Sequence, residues 1–210
     1  MSFRLAVLVS GEGTNLQALL DRLHGRDGIE VAAVASNRPE ARALGRARAT
    51  GVETGVFSAT SYADRAARDR ALGDWIESRT VDLIVLAGFM ELLGADFTRR
   101  FAGQMINVHP SLLPAFPGLR AIEQAIAAGV RITGVTVHFV DEGVDTGPIL
   151  LQEAVPLPYA PDIVATEHSV HEVEHELLPR AIRLIAAGAV HRDPADPRRV
   201  LVDEVVDAGH

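Results

Sequence analysis

The chain has 210 residues, 48% of them hydrophobic, enough for a sizeable buried core in one large domain or two small ones. Its formal charge of -8, with acidic and basic residues interspersed, predicts a soluble protein and argues against a nucleic-acid partner, which calls for a basic stripe. Cysteine is absent and all 20 basic residues are arginines, which excludes disulfides, thiolate ligands, thiol nucleophiles, a lysine Schiff base and the lysine of a phosphate-binding P-loop.

Met1 to Arg4 reads as a short polar start to a strand. The apolar run Leu5 to Val9 is too short for a signal-peptide core or a membrane span, so neither a processed leader nor a membrane partner is expected. An intracellular, cytoplasmic location is the simpler reading. Further strand-like runs lie at Val31 to Ala35, Leu83 to Ala87 and Met105 to Val108, and helical spacing recurs at Asn15 to Leu23, Pro39 to Thr50 and Tyr62 to Ser78. This alternation predicts an α/β fold with a doubly wound, mostly parallel sheet. Pro110, Pro114 and Pro117 then mark a loop, followed by a helix at Ala121 to Ala128 and two extended runs, Gly134 to Phe139 and Pro148 to Ala154, that read as an added antiparallel edge. A turn at Pro158 to Asp162 leads into a long C-terminal helix, Ile163 to Ala187, and the tail after Gly188 is expected to be variable.

Ser10-Gly11-Glu12-Gly13-Thr14-Asn15 sits between a strand and a helix, where flexible glycines bring backbone N–H groups and the positive end of the helix dipole toward an anion. The dinucleotide fingerprint is incomplete: Leu16 occupies the third glycine position, and the second strand ends in Ser36-Asn37 without a ribose-binding acid. A phosphate site and a merely tight strand-to-helix connection both remain open on this turn alone. Asn15 is placed either to donate to phosphate oxygens or to cap the helix.

In Ile106-Asn107-Val108-His109-Pro110, two polar side chains two residues apart end an apolar strand, so alternation puts both on one face at the ligand crevice of a parallel sheet. A buried structural histidine is the plainer reading of His109 alone. Asp145 lies in the glycine-bearing turn Asp141-Glu142-Gly143-Val144-Asp145-Thr146-Gly147-Pro148; beside an imidazole it would hold the tautomer and favour the imidazolium.

Asn107-x-His109-Pro-Ser-Leu-Leu-Pro114, then Gly134-Val-Thr-Val-His138 and Asp145-x-Gly-Pro148, resembles the folate-dependent formyltransferase family. Ser10 to Gln17, Leu86-Ala-Gly-Phe-Met90 and the length resemble the branch that formylates glycinamide ribonucleotide in purine biosynthesis, and the similarity runs from about Leu5 to Gly188. The resemblance implies a Rossmann-like formyltransferase fold in residues 1–190, with a phosphate-binding half to about residue 100, a folate and catalytic half after it, and a variable tail at 191–210. It implies 10-formyltetrahydrofolate as co-substrate, with Asn107 donating to the developing oxyanion, His109 shuttling the proton and Asp145 positioning His109 and a water. It further implies that Gly13, Thr14 and Asn15 bind the substrate phosphate and that His171 and Glu174 face its ribose and amine. Arg65, Met90, Glu91, Leu92 and Leu93, with Asp141, Glu142, Gly143 and Val144, fall on the folate side. Core packing is the plainer role for Met90 to Leu93, and a solvated helix residue for Arg65. Two departures from the family pattern, at Ala115-Phe116 with Arg120 and at His171 where an amide is expected, bear on loop and ribose contacts.

His171-Glu172-Val173-Glu174-His175 matches the H-E-x-x-H pattern of zinc proteases, with His168 one turn earlier. Flanking Val170, Val173, Leu177 and Leu178 suggest a helix packed on the sheet, and formyl transfer needs no metal, so none is expected. The rival enzyme is a 10-formyltetrahydrofolate hydrolase working the same three side chains on water. A silent phosphate-binding module is a rival of another class, and a transformylase acting on transfer RNA would need more length and basic surface. A homodimer is left open.

Overall fold

The structure, a computed structural model, describes residues 2–196 and 198–203. Seven strands form one sheet in the order β3-β2-β1-β4-β5-β6-β7: β1 (Phe3–Val9), β2 (Ile29–Ser36), β3 (Glu53–Val56), β4 (Leu83–Leu86), β5 (Met105–His109), β6 (Ile132–Phe139) and β7 (Ile149–Pro156). The chain divides into two compact units, residues 1–107 and 108–210.

In the first unit β1 pairs in parallel with β2 and β4, β2 with β3, and β4 with β5. Leu5 through Val9 are each 0% exposed, because a parallel strand with helices on both faces has no solvent side and so shows a continuous apolar run. Each such Leu or Val contributes about 1.5–3 kcal/mol of burial. Helix α1 (Thr14–Arg22) buries Leu16, Leu19 and Leu20, a stripe at helical spacing, and is followed by α2 (Arg42–Ala49), α3 (Arg65–Glu77) and α4 (Ala95–Arg100). Leu8 is level with Ala35 and with Leu86, and Leu86 with Asn107. The glycine turn after β1, the loop after β4 and the side chain of Asn107 therefore emerge at one edge, the carboxyl end of the strands. Helix α2 starts later than its apolar spacing predicts, since Pro39 and a turn from Arg38 to Ala41 occupy the first residues. Sequence reading passed over β3, four half-exposed residues, and α4, six residues without an apolar stripe.

In the second unit β6 and β7 pair antiparallel from Ile132↔Pro156 to His138↔Ile149, the expected edge pair, joined by the turn that carries Asp145. Gly147 admits no side chain there: a Cβ would stand 1.8 Å from the Phe139 carbonyl oxygen. Helix α5 (Ala121–Ala127) precedes the pair, and α6 (Ile163–Ala186) packs on both strands. Asp162 caps α6 by accepting from Ala165 N at 2.8 Å. Thr166, Val170, Glu174, Leu177, Leu178, Ala181 and Ile182 form its buried stripe, so Glu174 is a carboxylate on an apolar face. Of the stretch 191–210 read as a tail, β8 (Val190–Arg192) and β9 (Val200–Val202) make a small antiparallel pair, and residues 204–210 lie outside the described ones.

Candidate active site

The glycine turn is built by close packing. Gly13 is the N-cap of α1 with φ 74°, and a Cβ on it would meet Ala43 Cβ at 2.5 Å, so only glycine fits between the turn and α2. Ala43 N donates to Gly11 O at 3.1 Å and Arg46 Nε to Glu12 O at 2.8 Å, fastening the turn to α2. Gly13, Thr14 and Asn15 stand at the start of α1, the positive end of its dipole. Asn15, 8% exposed, is inside the first turn and is not the cap. At the end of β1, Ser10 Oγ donates to Asn37 Oδ1 at 2.6 Å and accepts from Met90 N at 2.7 Å, joining the ends of two strands to the loop after β4.

That loop holds Met90 and Leu92 outward, 58% and 62% exposed, which rules out core packing for both. Glu91 pairs with Arg68, a buried arginine of α3. Arg65 is exposed in the first turn of α3 and lines a cavity of about 260 Å³ with Asp69, Gly94, Phe97 and Arg100.

Asn107 and His109 stand two residues apart on β5, so the pleat turns both side chains to the same face. His109 is 5% exposed; its Nε2 lies 2.9 Å from the Phe116 carbonyl oxygen and its Nδ1 3.4 Å from Asp145 Oδ2. Both ring nitrogens thus face an acceptor, and a proton on either is held. Asp145, with φ 53°, accepts from Gly118 N at 2.8 Å and faces His138 Nε2 at 3.6 Å. Burial pushes the Asp145 carboxyl up, but the hydrogen bond from His138, that from Gly118 and the charge of His109 outweigh it and hold the group below its ordinary value. Asp141 braces the same turn, its Oδ1 accepting from Gly143 N at 3.0 Å and Thr146 Oγ1 at 2.7 Å, while Val144 is turned out to solvent and 48% exposed. The loop after His109 is pinned as well: Ser111 Oγ donates to Ala115 O at 2.6 Å, and Thr136 Oγ1 donates to Ser111 O at 2.6 Å and accepts from Leu113 N at 3.1 Å.

On α6, His171 Nε2 lies 4.0 Å from Glu174 Oε2, with Glu174 4% exposed. The His171 and His175 rings stack with centroids 6.3 Å apart, and His168 faces Glu172 at 3.4 Å. Among the described residues no group of three or more His, Asp or Glu side chains has the arrangement to hold a metal ion.

Residues 3–182 match the family model described as formyl transferase. The chain belongs to the formyl transferase family. This formyl transferase is 42% identical over 186 residues to phosphoribosylglycinamide formyltransferase of Haemophilus influenzae, a match that covers 88% of each chain. It is 44% identical over 188 residues to the trifunctional purine biosynthetic protein adenosine-3 of Bos taurus, covering 89% of this chain and spanning 19% of that relative's length. Among solved structures, glycinamide ribonucleotide transformylase 1 of Symbiobacterium toebii superimposes with a TM-score of 0.91 at 44% identity, over 96% of this chain and 94% of that one.

Three polar residues of this formyl transferase escaped the sequence reading. His138 was read only as part of a motif; its contact with Asp145 depends on the turn that folds back after β6. Arg68 carried a usable signal, since Arg68, Leu72 and Ile76 recur at four-residue steps on the buried face of α3. Ser10 was read only as the first residue of the glycine turn and its motif, with no sign of its bonds to Asn37 and Met90.

Proposed function

We propose that this formyl transferase moves the formyl group of 10-formyltetrahydrofolate onto the amine of glycinamide ribonucleotide, a step of purine biosynthesis. The observation that carries the proposal is the Asp145 carboxylate facing His109 at 3.4 Å, with Asn107 two residues earlier on the same strand. In the reaction the amine nitrogen attacks the formyl carbon, and the carbonyl electron pair moves onto oxygen. Asn107 donates to that oxyanion, a stabilisation worth about 10²–10³ in rate for one well-placed donor. The amine then loses a proton through His109, and the bond from the formyl carbon to folate N10 breaks with its electron pair going to N10, which takes up the proton. With Nε2 on the Phe116 carbonyl, the side of His109 open to proton exchange is the one facing Asp145, and a water held by that carboxylate completes the relay.

Gly13, Thr14 and Asn15 take the substrate phosphate, supported by the positive dipole end at the start of α1. His171 and Glu174 take the ribose and amine, supported by a buried carboxylate on an otherwise apolar stripe. Folate is taken by Met90 to Leu93, Arg65 and Asp141 to Val144, where outward apolar side chains suit a flat ring and backbone groups suit its polar edges. Both substrates are small soluble molecules, which fits a cytoplasmic enzyme; among the described residues no helix is long and apolar enough to cross a membrane.

The test mixes the protein with 10-formyltetrahydrofolate with and without glycinamide ribonucleotide. Release of tetrahydrofolate that depends on the amine supports transfer, and equal release without it marks a hydrolase. His109→Ala, folded by circular dichroism, should lose about 10²–10⁴-fold in turnover. Near-normal turnover by that variant removes the mechanism.

A further inference from the structure

Met90 and Leu92 are held outward while the backbone that carries them rests on buried polar groups. Ser10 Oγ accepts from Met90 N at 2.7 Å, Asp69 Oδ2 from Gly94 N at 2.7 Å, and Arg68 Nη2 donates to Leu92 O at 3.3 Å. Arg68 also reaches Asp69 Oδ1 through Nε at 3.0 Å and Nη2 at 2.7 Å, and pairs with Glu91 through Nη1. With Arg68 3% and Asp69 5% exposed, these contacts act in a low dielectric, where they are strong and leave little play.

A buried ion set is a poor device for stability alone, because desolvation offsets most of its attraction and apolar packing would serve as well. What a guanidinium does, and a methyl cannot, is fix several oxygens at set angles at once. We propose that Arg68 is a positioning residue for the folate: seated on Asp69, it fixes the segment from Met90 to Gly94 so that Met90 and Leu92 stand as a rigid apolar rim against the flat ring system. This rests on the formyl-folate reading above. The loop is preorganised by Arg68 and need not be ordered by the ligand, so the folate binds without the cost of freezing it.

The experiment compares Arg68→Lys and Arg68→Met with the unaltered protein, reading amide hydrogen exchange at residues 90–94 without ligand and steady-state kinetics with both substrates. Lysine keeps the charge and loses the fork, so both variants should exchange faster in the loop and raise the KM for 10-formyltetrahydrofolate by about tenfold or more, with kcat and the KM for glycinamide ribonucleotide within about threefold. Arg26→Lys, an exposed residue in the turn after α1, should change neither. If Arg68→Met does not fold, Arg68→Lys decides. Loop exchange and folate KM unchanged in folded Arg68→Lys overturns the proposal, and so does a parallel loss in kcat and in both KM values, which marks general support of the fold. Failure of the unaltered protein to consume formyl folate counts against the function itself, whereas failure confined to the variants' expected effects counts against Arg68 alone.

Discussion

At the scale of single residues, Asp145 is the pivot, since His109, His138 and the amide of Gly118 all converge on its two oxygens. Its folded value is lowered from the ordinary aspartate value of about 3.9. The sign follows from linkage: the stabilisation by the carboxylate is fully present above the ordinary value and is lost as pH falls through the lower, folded one. Thermal melts from roughly pH 5 down to pH 3 should therefore show a steeper fall in Tm for the unaltered protein than for Asp145→Asn, which has no carboxylate to protonate. Equal slopes would mean that the convergence on Asp145 contributes nothing. Such a meeting of groups is the kind of fact a sequence hides. Asn107 and His109 were legible because a strand repeats every two residues, but the nearness of Asp145 and the presence of His138 depend on a turn with a left-handed residue at its end.

At the scale of elements, the glycine turn gives a paired prediction. Gly13 combines φ 74° with a 2.5 Å approach to Ala43, while a Cβ on Gly11 would meet nothing within 4 Å. Gly13→Ala should cost about 1–3 kcal/mol and weaken binding of the phosphorylated amine, whereas Gly11→Ala should change stability by less than about 1 kcal/mol. Chemical denaturation of both variants checks this, and similar losses would show that the turn does not depend on the approach of α2. The same contrast explains what was readable in the fold. Strands covered on both faces announce themselves as apolar runs, and β1, β2, β4 and β5 fell where the runs lie. β3 and α4 are short and half-exposed, so they carry no period for a reader to find. The pair β6 and β7 and the long helix α6 were visible through turn residues at their ends, whereas the Asp162 cap emerged only from the structure.

At the scale of the whole molecule, the proposed transfer through Asn107, His109 and Asp145 calls for no metal, and α6, which bears the H-E-x-x-H pattern, offers the contrary test. Treatment with a chelator such as EDTA followed by desalting should leave turnover within about twofold of the starting value, the scatter of a comparison in which no transition-state interaction is removed. Activity lost on chelation and restored by zinc would return His171 and His175 to consideration as ligands. One further consequence lies in the order of pairing. A long stretch of chain separates β1 from its partner β4: the Arg4 amide bonds to Asp82 across 78 residues. During synthesis the apolar strand β1 waits with one edge uncovered while the intervening residues emerge, so refolding should be slow and prone to clumping at high concentration.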